Sequence, residues 1–294
     1  MTDYSTDTNV EPLVYQFLDL ATNTISYVVQ DPSSAACAVI DPVLDFDYAS
    51  GHVSYTGADK IIECVQENKL HMEWLIETHV HADHLSAAPY IKRKLGGKIG
   101  ISRNITVVQN TFSKIFGESR EFLCDGSQFD HLFTDGEIYR LGNMDAIAID
   151  TPGHTPACMT HVFGNSAFVG DTMFMPDGGT ARADFPGGDA GQLYDSIQKI
   201  LQLPVQTQLY MCHDYGPGGR EIKWKSSVAE QLQDNIHVSV RHTRNQFITM
   251  RTTRDATLAV PRLIIPSLQV NMRAGSIPMD ELGRPFIKIP INAL

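Results

Sequence analysis

Four apolar, strand-like runs in this chain of 294 residues end in histidine or aspartate. "EWLIET" runs into "HVHADH" at 79–84, "MDAIAID" into "TPGHT" with His154, "SAFV" into "GDT" with Asp171, and "TQLYMC" into "HDY" with His213. Polar residues at four successive strand ends require a fold that brings those ends to one edge, where side chains from a rigid scaffold converge on a loop. An α/β architecture does this, because its strands alternate with helices that return the chain to the same side.

The rest of the pattern agrees. "TISYVVQ" and "ACAVID" are strand-like and joined by "DPSS", in which Asp-Pro favours a tight reversal. Residues 57–70 place Ala58, Ile61, Ile62 and Val65 on one helical face, and Thr56 with Asp59 has capping-box spacing. Leu85, Ala88, Ile91 and Leu95 predict a helix with Ser86 as N-cap and Pro89 in its first turn, where no backbone hydrogen bond is lost. Leu193, Ile197, Ile200 and Leu201 predict another, and residues 224–257 read as mostly helical. The expected organisation is a catalytic domain over residues 1–257 and a Pro-punctuated apolar tail, 258–294, packed on it.

A formal charge of −11 argues against a nucleic-acid partner, whose phosphates need clustered Lys and Arg. Five scattered cysteines form no disulfide framework, and no apolar window is long enough to span a bilayer. These features predict a reduced, cytoplasmic, non-membrane protein.

The candidate metal ligands are His79, His81, Asp83, His84, His154, Asp171 and His213. Imidazole with carboxylate suits a divalent ion such as Zn, Fe or Mn, and packing this many such groups together without a cation carries a desolvation cost. His52, His71, His131, His161, His237 and His242 stand outside the strand-end pattern and read as ordinary surface or core residues. Cys158 and Cys212, in apolar strand patterns, read as buried structural thiols.

His79-Val80-His81-Ala82-Asp83-His84, followed in order by His154, Asp171 and His213, resembles the H-x-H-x-D-H signature of the metallo-β-lactamase superfamily. The resemblance implies an αββα sandwich of two mixed sheets flanked by helices, with the metal site at one sheet edge. "THVHADHLSAA", "ARADFPGGDAGQLYDSI" at 181–197 and "VNMRAG" at 270–275 further resemble the persulfide dioxygenase branch, without an appended rhodanese-like module. That branch implies one Fe(II) on His79, His154 and Asp171, with three open positions for the sulfur of glutathione persulfide and for O2, and sulfite and glutathione as products. His81, Asp83, His84 and His213 would then be second-metal remnants that hydrogen-bond the iron ligands or waters. The competing implication is a glyoxalase II-like thioesterase. It would carry two zinc ions, one on His79, His81 and His154, the other on Asp83, His84 and His213, with Asp171 bridging.

Glutathione carries two carboxylates, so the reading expects cationic partners: Arg182 first, with Arg220 and Arg273 as further candidates, and Tyr215 as a hydroxyl donor. The resemblance also implies a homodimer.

Overall fold

The computed structural model describes residues 7, 9–240 and 242–293. β1 (Leu13–Asp19) and β2 (Thr24–Gln30) pair antiparallel along their whole length, and β2 pairs antiparallel with β3 (Ala36–Ile40). A small sheet follows from β4 (Val43–Asp47), β5 (His52–Ser54) and, later, β7 (Leu85–Ser86). Between them lie α1 (Thr56–Glu67) and β6 (His71–Ile76); after them come α2 (Ala88–Leu95), β8 (Lys98–Ser102), α3 (Ile105–Ile115) and β9 (His131–Phe133). The first large sheet has the order β1-β2-β3-β6-β8-β9, parallel from β3 onward.

The second sheet is built from β10 (Glu137–Leu141), β11 (Met144–Asp150), β12 (Met159–Phe163), β13 (Ser166–Phe168), β14 (Gln208–Tyr210) and β15 (Lys225–Ser227), in chain order. It is antiparallel except for β13 and β14, which run parallel because α4 (Ala190–Ile200) crosses between them. Helices α5 (Val228–Asp234), α6 (Arg244–Asp255) and α7 (Ile264–Asn271) complete the chain.

Side-chain alternation along each strand decides the layers. Tyr27, Val29, Ala38, Ile40, Trp74 and Ile76 from the first sheet meet Tyr139, Ala146, Ala148, Phe163 and Phe168 from the second in one central core. Their neighbours Val28, Val39 and Leu75 face outward under α1, α2, α3 and α7. Ile147, Ile149 and Val162 face outward under α4 and Phe247 of α6. The result is the helix–sheet–sheet–helix sandwich that the sequence implies, and among the described residues no helix is long and apolar enough to cross a membrane.

Three local expectations change. α1 has no side-chain cap: its Gly57 amide donates to Asp45 of β4 at 3.0 Å, while Asp59 accepts from the Tyr90 hydroxyl at 2.7 Å. A tertiary acceptor thus takes over the expected role of Thr56. Ser86 sits one residue before the N-cap of α2, although its hydroxyl still accepts from the Ala88 amide at 3.1 Å. The segment 224–257 also begins with a strand, because Ser226 pairs with Leu209 at the sheet edge.

His161 lies fully buried between the sheets, its Nδ1 2.9 Å from the Tyr139 hydroxyl, and burial holds its pKa at about 3. The unfolded chain takes up this proton near pH 6.5 and the folded chain does not. Its contribution is therefore intact above about pH 6.5 and falls as the pH drops toward 3, by up to about 1.4 kcal/mol per pH unit. Urea unfolding between about pH 7 and pH 5 should show His161→Gln losing less stability over that interval than the wild type.

Candidate metal centre

The ends of β6, β11, β13 and β14 meet at one edge of the sandwich, and the two sheets are tied together there. Met159 N donates to Thr78 O at 2.9 Å, and Ile25 N to Cys212 O at 2.7 Å. Two glycines permit the close approach. Gly170 has φ +51°, and a Cβ there would stand 2.6 Å from Thr78 Oγ1; Gly153 has φ +139°, and its Cβ would stand 2.2 Å from the backbone nitrogen of Leu193. Each precedes a candidate ligand, Asp171 and His154.

Backbone carbonyls fix the rings, since a carbonyl can only accept. His154 Nδ1 donates to Arg182 O at 2.7 Å, His213 Nδ1 to Asn23 O at 3.1 Å and His84 Nδ1 to Leu85 O at 3.1 Å. With Nδ1 so engaged, Nε2 is the nitrogen that carries the lone pair in the neutral form of each ring. His79 reaches the same state through Thr78: the Thr78 hydroxyl gives its proton to Asp41 Oδ2 at 2.8 Å, so its oxygen accepts from His79 Nδ1 at 3.0 Å. His81 is turned the other way, with Nε2 2.9 Å from Asp41 Oδ1 and Nδ1 facing the site.

The consequence is a set of buried polar atoms without partners: His79 Nε2, His81 Nδ1, His84 Nε2, His213 Nε2 and Asp171 Oδ1. So many buried polar atoms without partners in one place are what a cation would satisfy, and the donor chemistry fits a borderline divalent metal. The donor atoms of His79, His154 and Asp171 lie within 4.8 Å of one another, as do those of His81, Asp83 and His213. Asp171 lies between the groups: Oδ2 is 3.9 Å from His79 Nε2 and 3.7 Å from His154 Nε2, and Oδ1 is 3.4 Å from His213 Nε2. Cys212 is buried, as expected, yet its sulfur joins His81 and His84 in a further group of the same spacing, so a cysteine does stand beside the histidines.

Charge follows environment. Burial, then the neighbouring imidazoles, hold His79 well below the usual histidine range, which keeps it neutral and able to bind metal. Burial also disfavours charge on His81, but Asp41 outweighs it and carries that ring up to about 9. Burial pushes the Glu77 carboxyl up to about 8.

A cleft of about 460 Å³ opens over this edge, with Asp83, His154 and Asp171 lining it beside Phe174, Phe185 and Tyr215. A sequence profile of the metallo-beta-lactamase superfamily matches residues 21–213. The chain belongs to that superfamily. It is 52% identical over 289 residues to a probable metallo-hydrolase of Burkholderia pseudomallei (strain 1710b), covering 95% of this chain and 98% of that one. It is 47% identical over 281 residues to glyoxylase B2 of Dictyostelium discoideum, covering 95% and 96%. The human mitochondrial persulfide dioxygenase ETHE1 is 29% identical over 206 residues, covering 69% and 68%. The crystal structure of ETHE1 from Myxococcus xanthus matches with a TM-score of 0.72 at 27% identity, over 90% of this chain and 100% of that one. Other curated relatives are longer, and the chain spans 65% of their length.

Every ligand candidate from the superfamily signature reaches this edge; the arginine candidates do not behave alike. Arg182 lines the cleft, but its fork is taken by Asp184 (2.6 and 2.8 Å) and Ala259 O (2.7 Å), and the residue reaches the site through its carbonyl on His154. Arg220 is held by Asp177 and Asp214. Arg273 pairs with Glu118 at 2.5 Å and covers the Phe122 ring, away from the cleft. The sequence signals for these two were charge alone, which does not say what the charge faces. Tyr215 lines the cleft, its ring stacked on His213.

Two positioning residues escaped sequence reasoning. Asp41 ends β3 as the other site residues end their strands, and that shared position is the signal. Asn271, at the end of α7, donates from Nδ2 to His81 O at 2.9 Å and His84 O at 2.8 Å, and its Oδ1 accepts from Ser86 N at 2.8 Å. Asn271→Ala leaves three buried backbone groups unpaired and should cost about 3 kcal/mol or more. Thermal melting together with metal content measures this; the expected variant melts lower and retains less metal.

Proposed function

We propose that the chain is a persulfide dioxygenase using one non-haem Fe(II), with glutathione persulfide and O2 as substrates. The observation that carries this reading is the compact trio of His79, His154 and Asp171, two imidazoles and one carboxylate, of which His154 and Asp171 line the cleft. Such a set would hold Fe(II) through three protein ligands and leave it able to take a sulfur ligand and O2 as well. The extended likeness to ETHE1, which continues past residue 213, supports it further. Bound iron would supply the one-electron chemistry that O2 needs to react with a closed-shell sulfur compound. One O2 and one water are consumed per persulfide, giving glutathione, sulfite and protons.

The chain's own residues prepare that site. Thr78 and the Arg182 carbonyl hold His79 and His154 in the tautomer that presents Nε2. Phe185 packs edge-on against the His154 ring, with centroids 5.2 Å apart, and narrows solvent access to it. Tyr215 and Phe174 line the same cleft and add aromatic surface to it.

A second reading, a dinuclear zinc glyoxalase II-like hydrolase of glutathione thioesters, is favoured by the three further orphaned nitrogens of His81, His84 and His213. The names of the relatives at 47–52% identity point the same way. The two differ in what Asp83 and His84 do. Protein purified without oxygen should hold about one iron per chain, consume O2 and release sulfite with glutathione persulfide, and keep its iron in Asp83→Ala and His84→Ala. Two zincs per chain, thioester cleavage without O2 uptake, and metal loss in both variants would replace this reading with the second.

A further inference from the structure

The cleft holds more positive charge than Arg182. Arg251, Arg254 and Arg262 also line it, all from α6 and the segment after it. Arg251 is buried and committed: its Nε donates to Asp255 Oδ1 at 2.8 Å and its Nη1 to Thr180 O at 3.0 Å. Arg182 is committed to Asp184. Arg254 and Arg262 are exposed, and among the described residues neither guanidinium makes a hydrogen bond or has a carboxylate within ion-pair distance. Asp47 is close enough to feel the charge of Arg262 without pairing with it.

The backbone that carries these two side chains is nevertheless anchored. Arg254 lies between Arg251 and Asp255, and the Asp255 carboxylate also accepts from Ala183 N at 2.8 Å. Farther on, Ala259 O accepts from Arg182, and Leu263, next to Arg262, is buried in the core. The cations are therefore held over the cleft with their forks unspent, in a chain whose net charge is −11. An anchored backbone with free guanidinium donors suits carboxylates arriving from solution, which each fork can hold by two parallel hydrogen bonds.

We infer that Arg254 and Arg262 dock the carboxylates of the substrate's thiol carrier, so that the substrate class is an acidic low-molecular-weight thiol derivative rather than an uncharged one. The inference rests on the proposed function for the sulfur chemistry, and on the cleft alone for the docking. The arginines bind the inert end of the molecule while its sulfur reaches toward His154 and Asp171.

The test is calorimetric binding of S-methylglutathione, which has both carboxylates and no free thiol, to the metal-loaded protein. The wild type should bind it, more weakly as salt rises. Arg254→Ala and Arg262→Ala should each weaken binding by roughly tenfold, the size of a lost charge-assisted hydrogen bond, with metal content unchanged. Lysine at either position should restore part of it. In turnover, the preference for glutathione persulfide over 2-mercaptoethanol persulfide should collapse in the double variant through KM. Absence of binding by the wild type, or equal binding by the double variant, overturns the inference. Arginine-dependent binding without O2 uptake retains the docking site and removes the dioxygenase reading; O2 uptake with arginine-independent binding does the reverse.

Discussion

The carboxylate of Asp41 organises the site more than any other single group. It accepts from the Thr78 amide at 2.7 Å and from the Thr78 hydroxyl, and it sits 2.9 Å from His81 Nε2. One buried charge therefore sets the end of β6, turns His81 so that Nδ1 faces inward, and settles through Thr78 which nitrogen of His79 is free. The residue adopts φ +49°, a left-handed conformation that aspartate tolerates better than most side chains. Its backbone carbonyl is used as well, accepting from the Ser26 hydroxyl at 2.6 Å. Low dielectric strengthens each of these bonds and makes the loss of any of them costly.

The carboxy-terminal segment is the second organising element. Asn271 binds two carbonyls and one amide of the histidine loop, across 185 to 190 residues of sequence. On the other side of the cleft, Arg251 and Asp255 clamp residues 180–183, and the Arg182 carbonyl in that clamp holds His154. Helices α6 and α7 thus act on the metal-facing residues from two directions without supplying a ligand. The cleft wall and the orientation of the histidines are parts of one packed unit.

Much of the fold was legible because its signals are local. The apolar run of β11, buried on both faces, and the helical face Ala58, Ile61, Ile62 and Val65 each follow from the burial of a single element. β15 was not legible, since a three-residue strand such as Lys225–Ser227 owes its form to the neighbouring strand rather than to its own composition. The cap of α1 failed for the same reason: Asp45 arrives from another element and displaces the local partner. Among site residues, histidines announced themselves by number and spacing. The arginines did not, because whether a guanidinium is spent or free depends on which carboxylate the fold brings within reach of it.

The sequence by itself determined the ligand set: a run of histidine and aspartate at successive strand ends, in an order that implies both the sandwich and a metal at its edge. Covalent order is enough for this, since strand ends in a sheet have few places to go. Only the tertiary structure decided which nitrogen of each ring is free, that Asp41 and Asn271 hold those rings, and which cations remain open to a substrate. These depend on groups far apart in the chain meeting within hydrogen-bond distance, where an acceptor met first by one donor is closed to the next.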